Sequence, residues 1–164
     1  MIPDLKDKVV LITGASTGIG AAVARAFGAE GSTVVVHYHA SEAAAHAVVA
    51  AIEAGGGHAH ALRADATRPE QLVGLVKSTV DRYGRLDVLI NNVGDLVQRC
   101  PIADATEELF DAVVDLNVRS VVTTSRAAIA QFRAQGGGAI INTTSIAARN
   151  GGGPGSVLYA SSKA

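Results

Sequence analysis

Lys8-Val9-Val10-Leu11-Ile12-Thr13-Gly14-Ala15-Ser16-Thr17-Gly18-Ile19-Gly20 is the stretch that decides the fold. Its first six residues carry an apolar run without alternation, which predicts a strand over 8–13 buried on both faces, as in a parallel sheet. The glycine-rich turn over 14–20 then opens a helix predicted over 19–30, ended by Gly31. A strand that runs through glycines into a helix presents backbone N–H groups and the positive end of a helix dipole, a setting suited to a pyrophosphate. Gly14 permits the tight turn, Gly18 lets the backbone approach the phosphates, and Gly20 lets the helix pack near the strand. The spacing is G-x-x-x-G-x-G and not G-x-G-x-x-G, because Val23 fills the third glycine's place.

Outward from this unit, strands and helices alternate. A second strand is predicted over 33–38 (TVVVHY), and Ser41 is placed to cap a helix through Ala54, closed by three glycines at 55–57. A third strand follows over 58–64. Thr67-Arg68-Pro69-Glu70 reads as a capping box with proline in the first turn of a helix to about Tyr83. A fourth strand is predicted over 86–90, then Asn91-Asn92-Val93-Gly94, then a loop over 95–105. Thr106 caps a helix into the Asp115 region, and a further helix runs over 117–135 to the glycines at 136–138. A fifth strand spans 139–143, a Gly-rich loop 147–156, and the last residues begin a helix. The class is therefore α/β, a Rossmann-like doubly wound parallel sheet in one domain over 1–164, truncated after the fifth strand and the start of the following helix.

Bulk properties narrow the function. The formal net charge is -1, which gives no electrostatic case for nucleic acid or an anionic membrane surface. One cysteine, Cys100, cannot form an internal disulfide, in keeping with a reducing compartment. Residues 1–6 do not read as a signal peptide, and no apolar run approaches the roughly 20 residues of a membrane span. A cytoplasmic protein is the expectation.

Tyr159-Ala160-Ser161-Ser162-Lys163 carries the chemistry. Residues four apart share one helical face, where an ammonium can favour a phenolate. A tyrosine titrates near ~10, and moving a phenol by ~3 units takes about 4 kcal/mol of differential stabilisation, part of which a neighbouring positive charge supplies. Alone, Tyr-x-x-x-Lys is a weak signal. Here it follows, in order, Thr13-Gly14-x-x-x-Gly18-x-Gly20, Asn91-Asn92-Val93-Gly94, Asn117 and Ser145. This set resembles the classical short-chain dehydrogenases/reductases, and among them bacterial 3-oxoacyl-carrier-protein reductase and sugar-dehydrogenase-like members.

The resemblance implies an NAD(P)-dependent oxidoreductase that moves a hydride between a nicotinamide and a carbonyl/alcohol substrate. Tyr159 would be the general acid/base, Lys163 would assist it and bond the nicotinamide ribose, Ser145 would hold the substrate oxygen, and Asn117 would hold a water linking Lys163 to solvent. From the residues alone, Thr143 and Thr144 compete with Ser145 for that role. The resemblance places Gly14, Ser16, Thr17, Gly18, Ile19, Gly20, Asn91, Gly94, Tyr159 and Lys163 against the cofactor, with Asn91 and Gly94 also steadying the central sheet and Asp65 and Ala66 at the adenine. Val93 departs from the family's usual alanine.

Cofactor choice turns on the end of the second strand, where an acidic residue would bind the ribose hydroxyls of NAD. That place holds His37, followed by Tyr38, His39, Ala40 and Ser41, with no carboxylate before Glu42. Its absence removes a barrier to a 2′-phosphate, to which His39 and Ser41 could donate, so NADP is favoured over NAD. All five histidines fall between 37 and 60, and His37/His39 and His58/His60 could meet on neighbouring strands, yet no cysteine or carboxylate cluster joins them and no metal is expected. The family continues well beyond residue 164, so the chain reads as an N-terminal portion whose parent is a homo-oligomer, dimer or tetramer, built partly on the 117–135 helix. The alternative function is a truncated, catalytically inactive dinucleotide-binding fragment.

Overall fold

The computed structural model describes residues 3–164; the expectation drawn from residues 1–6 falls partly on Met1 and Ile2, which lie outside the described residues. In chain order the strands are β1 (Val9–Ile12), β2 (Thr33–Tyr38), β3 (His58–Arg63), β4 (Val88–Asn91) and β5 (Ala139–Asn142). The helices are α1 (Gly18–Ala29), α2 (Glu42–Ala54), α3 (Pro69–Tyr83), α4 (Glu107–Val114), α5 (Ser120–Gln135), α6 (Ala147–Asn150) and α7 (Val157–Lys163).

The five strands form one parallel sheet in the order β3-β2-β1-β4-β5. β1 lies at its centre, with Leu11 opposite Val35 on one side and Leu89 on the other. That position explains why 9–12 do not alternate: all four residues are buried, under helices on both faces. On one face Val10, Ile12, Val34 and Val36 pack with Ala24 of α1 and Val48 and Ile52 of α2. On the other, Leu11, Val35 and Leu89 pack with Leu72 and Leu75 of α3 and Phe132 of α5. Each fully buried leucine or valine here contributes about 1.5–3 kcal/mol relative to exposure. The strand order reverses beside β1, and the crevice at the carboxyl ends of β1 and β4 is where ligands bind in sheets of this kind. Among the described residues no helix is long and apolar enough to cross a membrane.

Several boundaries differ from expectation for local physical reasons. The capping box at 67–70 does not form. Thr67 instead donates its N–H and O–H to the Asp65 carboxylate, and α3 starts at Pro69 after Arg68. Ser41 precedes α2 but makes no side-chain cap. Thr106 does cap α4, accepting from the Leu109 N–H at 3.3 Å. The helix expected from 117 is the continuation of α4, joined to α5 through a π-helical stretch, Asp115–Arg119. The 147–156 segment contains the single turn α6, ended by Gly151 with φ +77°.

At the opposite end of the sheet, Asp87 fastens the β1 entry. Its Oδ2 accepts from the Val9 N–H at 2.9 Å, and Arg85 donates to both oxygens at 2.8 and 2.6 Å. Burial pushes the Asp87 carboxyl up, but Arg85, the Val9 N–H and Lys8 outweigh it and hold the group below its ordinary value. A depressed carboxylate stabilises the fold at neutral pH, and the contribution is lost as pH falls through the folded value. Asp87→Asn is expected to lower stability by about 1.5–3 kcal/mol, the worth of hydrogen bonds to a charged group. Urea unfolding at pH 7 should show a lower midpoint at unchanged slope, and an unchanged midpoint would refute the assignment.

Candidate functional site

A cleft of about 910 Å³ opens along the carboxyl edge of the sheet, with the β1–α1 turn on one wall and Tyr159 and Lys163 on the other. The turn is built from three strands. Thr13 at the end of β1 receives the N–H groups of Asn92 (2.9 Å) and Val93 (3.1 Å) on its hydroxyl oxygen. The Asn92 side chain donates to the carbonyls of Thr13 and Gly14, both at 3.1 Å. Gly14 has φ +64° and Gly18 φ +54°, the left-handed region that glycine enters freely. A Cβ on Gly20 would collide with the Gly14 carbonyl and sit 2.6 Å from Asn92 Nδ2, so α1 packs on the turn only with glycine there.

His37 fixes the turn from the β2 side. The Gly14 N–H donates to Nδ1 at 3.0 Å, and Nε2 lies 3.0 Å from the Ala64 carbonyl. A carbonyl can only accept, so the proton is on Nε2 and the ring is neutral. The ring is 1% exposed, and burial pushes its pKa below 6.5. Although His37 borders the cleft, both ring nitrogens are used inside the protein and neither is left for a ribose hydroxyl. The strand register also separates the histidines: His37 faces Leu62, while His58 and His60 face Thr33 and Val35. Among the described residues no three His, Cys, Asp or Glu side chains are grouped to hold a metal ion.

The first amides of α1 have no intrahelical acceptor, and Thr17 supplies no side-chain cap. A helix start left open at the mouth of a glycine turn fits a pyrophosphate. Ser16, Thr17 and Ile19 line the cleft beside it, as do His39, Ser41, Asp65 and Ala66 farther along. Asp65 is held below its ordinary pKa by the Thr67 hydrogen bonds, and its other oxygen lies 3.8 Å from His39 Nε2.

On the far wall, the β5 end carries Thr143, Thr144 and Ser145 into the cleft. The Ser145 hydroxyl oxygen accepts the Ala147 N–H at 3.2 Å, which starts α6. Thr144 donates to the Lys163 carbonyl, tying α7 to the β5 end. Lys163 reaches the Thr143 and Val93 carbonyls at 3.3 and 3.4 Å, and burial draws its pKa down. A Cβ on Gly94 would sit 2.6 Å from Lys163 Nζ and 2.7 Å from Asn117 Oδ1, so glycine is what lets these two side chains close around the β4 end.

Two of the sequence-selected residues point elsewhere. Asn91 is 3% exposed and turned into the protein, donating to Ser125 and Asn142 and accepting from Thr124. It steadies β4, β5 and α5 and is absent from the cleft wall. Asn117 is also buried; its amide donates to the Asp95 and Val113 carbonyls and its Oδ1 accepts the Asp95 N–H. Its side chain therefore fixes the backbone beside Gly94. Gly18 and Gly20 shape the turn without lining the wall. Sequence reasoning passed over Asn92, whose two bonds to the turn require the β1–β4 pairing to be known.

The chain matches the short chain dehydrogenase family over residues 8–164. It is 42% identical to a 3-oxoacyl-[acyl-carrier-protein] reductase of Synechocystis sp., covering 98% of this chain and 64% of that protein. It thus spans just under two thirds of that relative's length. The crystal structure of an NADH-dependent reductase, A1-R', complexed with NAD superposes with a TM-score of 0.94 at 39% identity, covering 99% of this chain and 70% of that one. A short chain dehydrogenase from Burkholderia cenocepacia in complex with NADP gives 0.89 at 38% identity, covering 97% and 64%.

Two outcomes are expected from this geometry. The unfolded chain binds a proton at His37 before the folded one does, so the stability its neutral ring supplies is full above pH 6.5 and is lost as pH falls below it. Melting temperature between pH 7.5 and 5 should fall more steeply for the wild type than for His37→Gln; parallel curves would contradict the lock. Gly94→Ala should displace Lys163, weakening cofactor binding measured by calorimetry about 10-fold or more, since a buried contact of this kind is worth about 1.4 kcal/mol or above.

Proposed function

The chain belongs to the short-chain dehydrogenase family, and on that premise we propose that it forms the cofactor-binding and catalytic part of an NAD(P)-dependent oxidoreductase that interconverts a carbonyl and an alcohol. The observation that carries this is the single cleft shared by the glycine turn, Ser145, Tyr159 and Lys163.

The amides of the β1–α1 turn bind the pyrophosphate, and the wall from His39 to Ala66 takes the adenosine. The nicotinamide, when bound, supplies or accepts the hydride. The substrate oxygen gains negative charge as a carbonyl is reduced, so donors aimed at it accelerate the step. Ser145 provides one such donor through its hydroxyl. Tyr159 provides the second and gives up its proton to that oxygen; in the reverse direction its phenolate takes the proton back. Lys163 lies one turn further along α7, on the same helical face, where its ammonium can bond a ribose hydroxyl. Asn117 holds the Asp95 backbone and so the approach of the β4 end to Lys163.

NADP is the favoured cofactor, since no carboxylate precedes Glu42 at the end of β2. The substrate is a small carbonyl or alcohol. The exposed apolar residues Val118, Val122 and Ile129 support self-association of the parent protein into a dimer or tetramer. A cytoplasmic setting accords with the single Cys100.

Tyr159→Phe removes the proton donor and little else. In the protein that carries this chain, it is expected to lower NAD(P)H-linked turnover of ketones by about 10²–10⁴-fold, the usual worth of general acid catalysis. Calorimetric cofactor affinity should fall far less than turnover, because loss of one hydroxyl leaves the pyrophosphate and adenosine contacts in place. Full turnover in the variant would refute the role of Tyr159. Cofactor binding with no turnover in the wild type would favour a binding module.

A further inference from the structure

Tyr159 is the third residue of α7, a helix of seven residues. A helix this short does not hold itself in water, so its start must be fixed from outside. Ser156 supplies the seat. It is 5% exposed, its carbonyl accepts the Ala160 N–H at 2.8 Å, and its hydroxyl donates to the Gly153 carbonyl at 2.5 Å instead of capping the helix. The Ser156 N–H reaches the same carbonyl at 3.2 Å. α7 therefore starts from a compact turn over 153–156.

That turn is gripped by the loop after β4. Arg99 Nη1 donates to the Pro154 carbonyl at 2.9 Å, and the Cys100 N–H donates to the Gly155 carbonyl at 2.9 Å. Gly155 has φ +73°, and a Cβ there would sit 3.0 Å from the Cys100 nitrogen, so the two backbones approach this closely only at glycine. The loop reaches across by a tight bend. Val97 has φ +63°, and the Gln98 N–H donates to the Leu96 carbonyl at 2.8 Å. A β-branched residue in that region carries strain, which persists only where surrounding contacts impose it. Asn117 holds the root of the same loop through both backbone groups of Asp95. The far end of α7 is held separately, by the Thr144 bond to the Lys163 carbonyl and by the Lys163 ammonium on the Thr143 carbonyl.

We propose that Arg99 is a positioning residue for Tyr159: its bond to the Pro154 carbonyl fixes the turn from which α7 starts, and so where the phenol stands in the cleft. This assignment rests on the reading of Tyr159 as the proton donor. Arg99 is not part of the cleft wall and acts only through the turn.

The test is a double-mutant cycle in the protein that carries this chain: wild type, Arg99→Ala, Tyr159→Phe and the double variant, with Arg99→Lys beside them. Steady-state kinetics of NAD(P)H-linked ketone reduction give kcat and KM, calorimetry gives cofactor affinity, and circular dichroism confirms folding. Arg99→Ala should lower kcat about 10–100-fold with little change in KM, since a misplacement of about 1 Å costs on the order of 100-fold. Cofactor affinity should change by no more than about 2-fold, because Lys163 and the glycine turn are held by other contacts. In the Tyr159→Phe background the same substitution should change kcat by less than about 2-fold, because an effect carried by the phenol is already lost. Arg99→Lys should recover part of kcat, since an ammonium still donates to one carbonyl. Unchanged kcat in Arg99→Ala, or an equal loss in both backgrounds, would overturn the assignment while leaving Tyr159 the donor. Full turnover in Tyr159→Phe would overturn that role and the assignment with it. Should Arg99→Ala prove unfolded, Arg99→Lys goes through the same cycle: a loss confined to the background with the phenol supports the assignment, and any other pattern contradicts it.

Discussion

The turn between β1 and α1 is fixed by side chains from the strands on either side of it, and the cleft takes its shape from that restraint. Asn92 and Thr13 bind it to β4, and His37 binds it to β2 and to the end of β3. Each hydrogen bond nets only about 1 kcal/mol, but a buried donor or acceptor left unpaired costs about 1–3 kcal/mol, so the network resists losing any member. The result is a turn whose own polar groups are satisfied sideways, leaving the amides at the start of α1 open toward the cleft. The roles are divided: His37 and Asn92 hold the turn, and the helix start is left open.

The opposite wall is built by similar close approach. Gly94 has no side chain, so Lys163 and Asn117 close on it from two elements. Asn117 can do so because it stands in the π-helical stretch between α4 and α5, where the helix turns wider than its neighbours. Its side chain returns to Val113 and crosses to Asp95, joining the helix to the loop after β4. Thr144 and Lys163 join the β5 end to α7 in turn. The elements that carry Ser145, Tyr159 and Lys163 are thereby placed relative to β4, whose other neighbour is the strand leading into the glycine turn.

The strands and the main helices were legible because their signals are local. Val9–Ile12 and Thr33–Tyr38 are apolar runs bounded by turn residues, and the glycines at 14, 18 and 20 mark a strand-to-helix junction. Tyr159, Lys163 and Ser145 were brought to one cleft as their motif order suggested. What sequence missed depends on partners distant in the chain. Thr67 reads as a helix cap until Asp65 competes for its hydroxyl. His37 reads as a ribose ligand until Gly14 and Ala64 are found to occupy its nitrogens. That Asn91 steadies the central sheet follows from its motif, but its partners, Asn142 and Thr124, are known only once β5 and α5 are placed beside it. Arg99 is invisible as a neighbour of Pro154 because their adjacency joins two loops 55 residues apart. The π-helical join hides behind ordinary helical periodicity.

A crystal structure of the chain with NADP bound is the most direct measurement. The pyrophosphate is expected on the amides at the start of α1, beside Gly18, with the nicotinamide ring toward Tyr159 and Ser145. A dinucleotide seated away from that turn, or a nicotinamide facing away from Tyr159, would contradict the account.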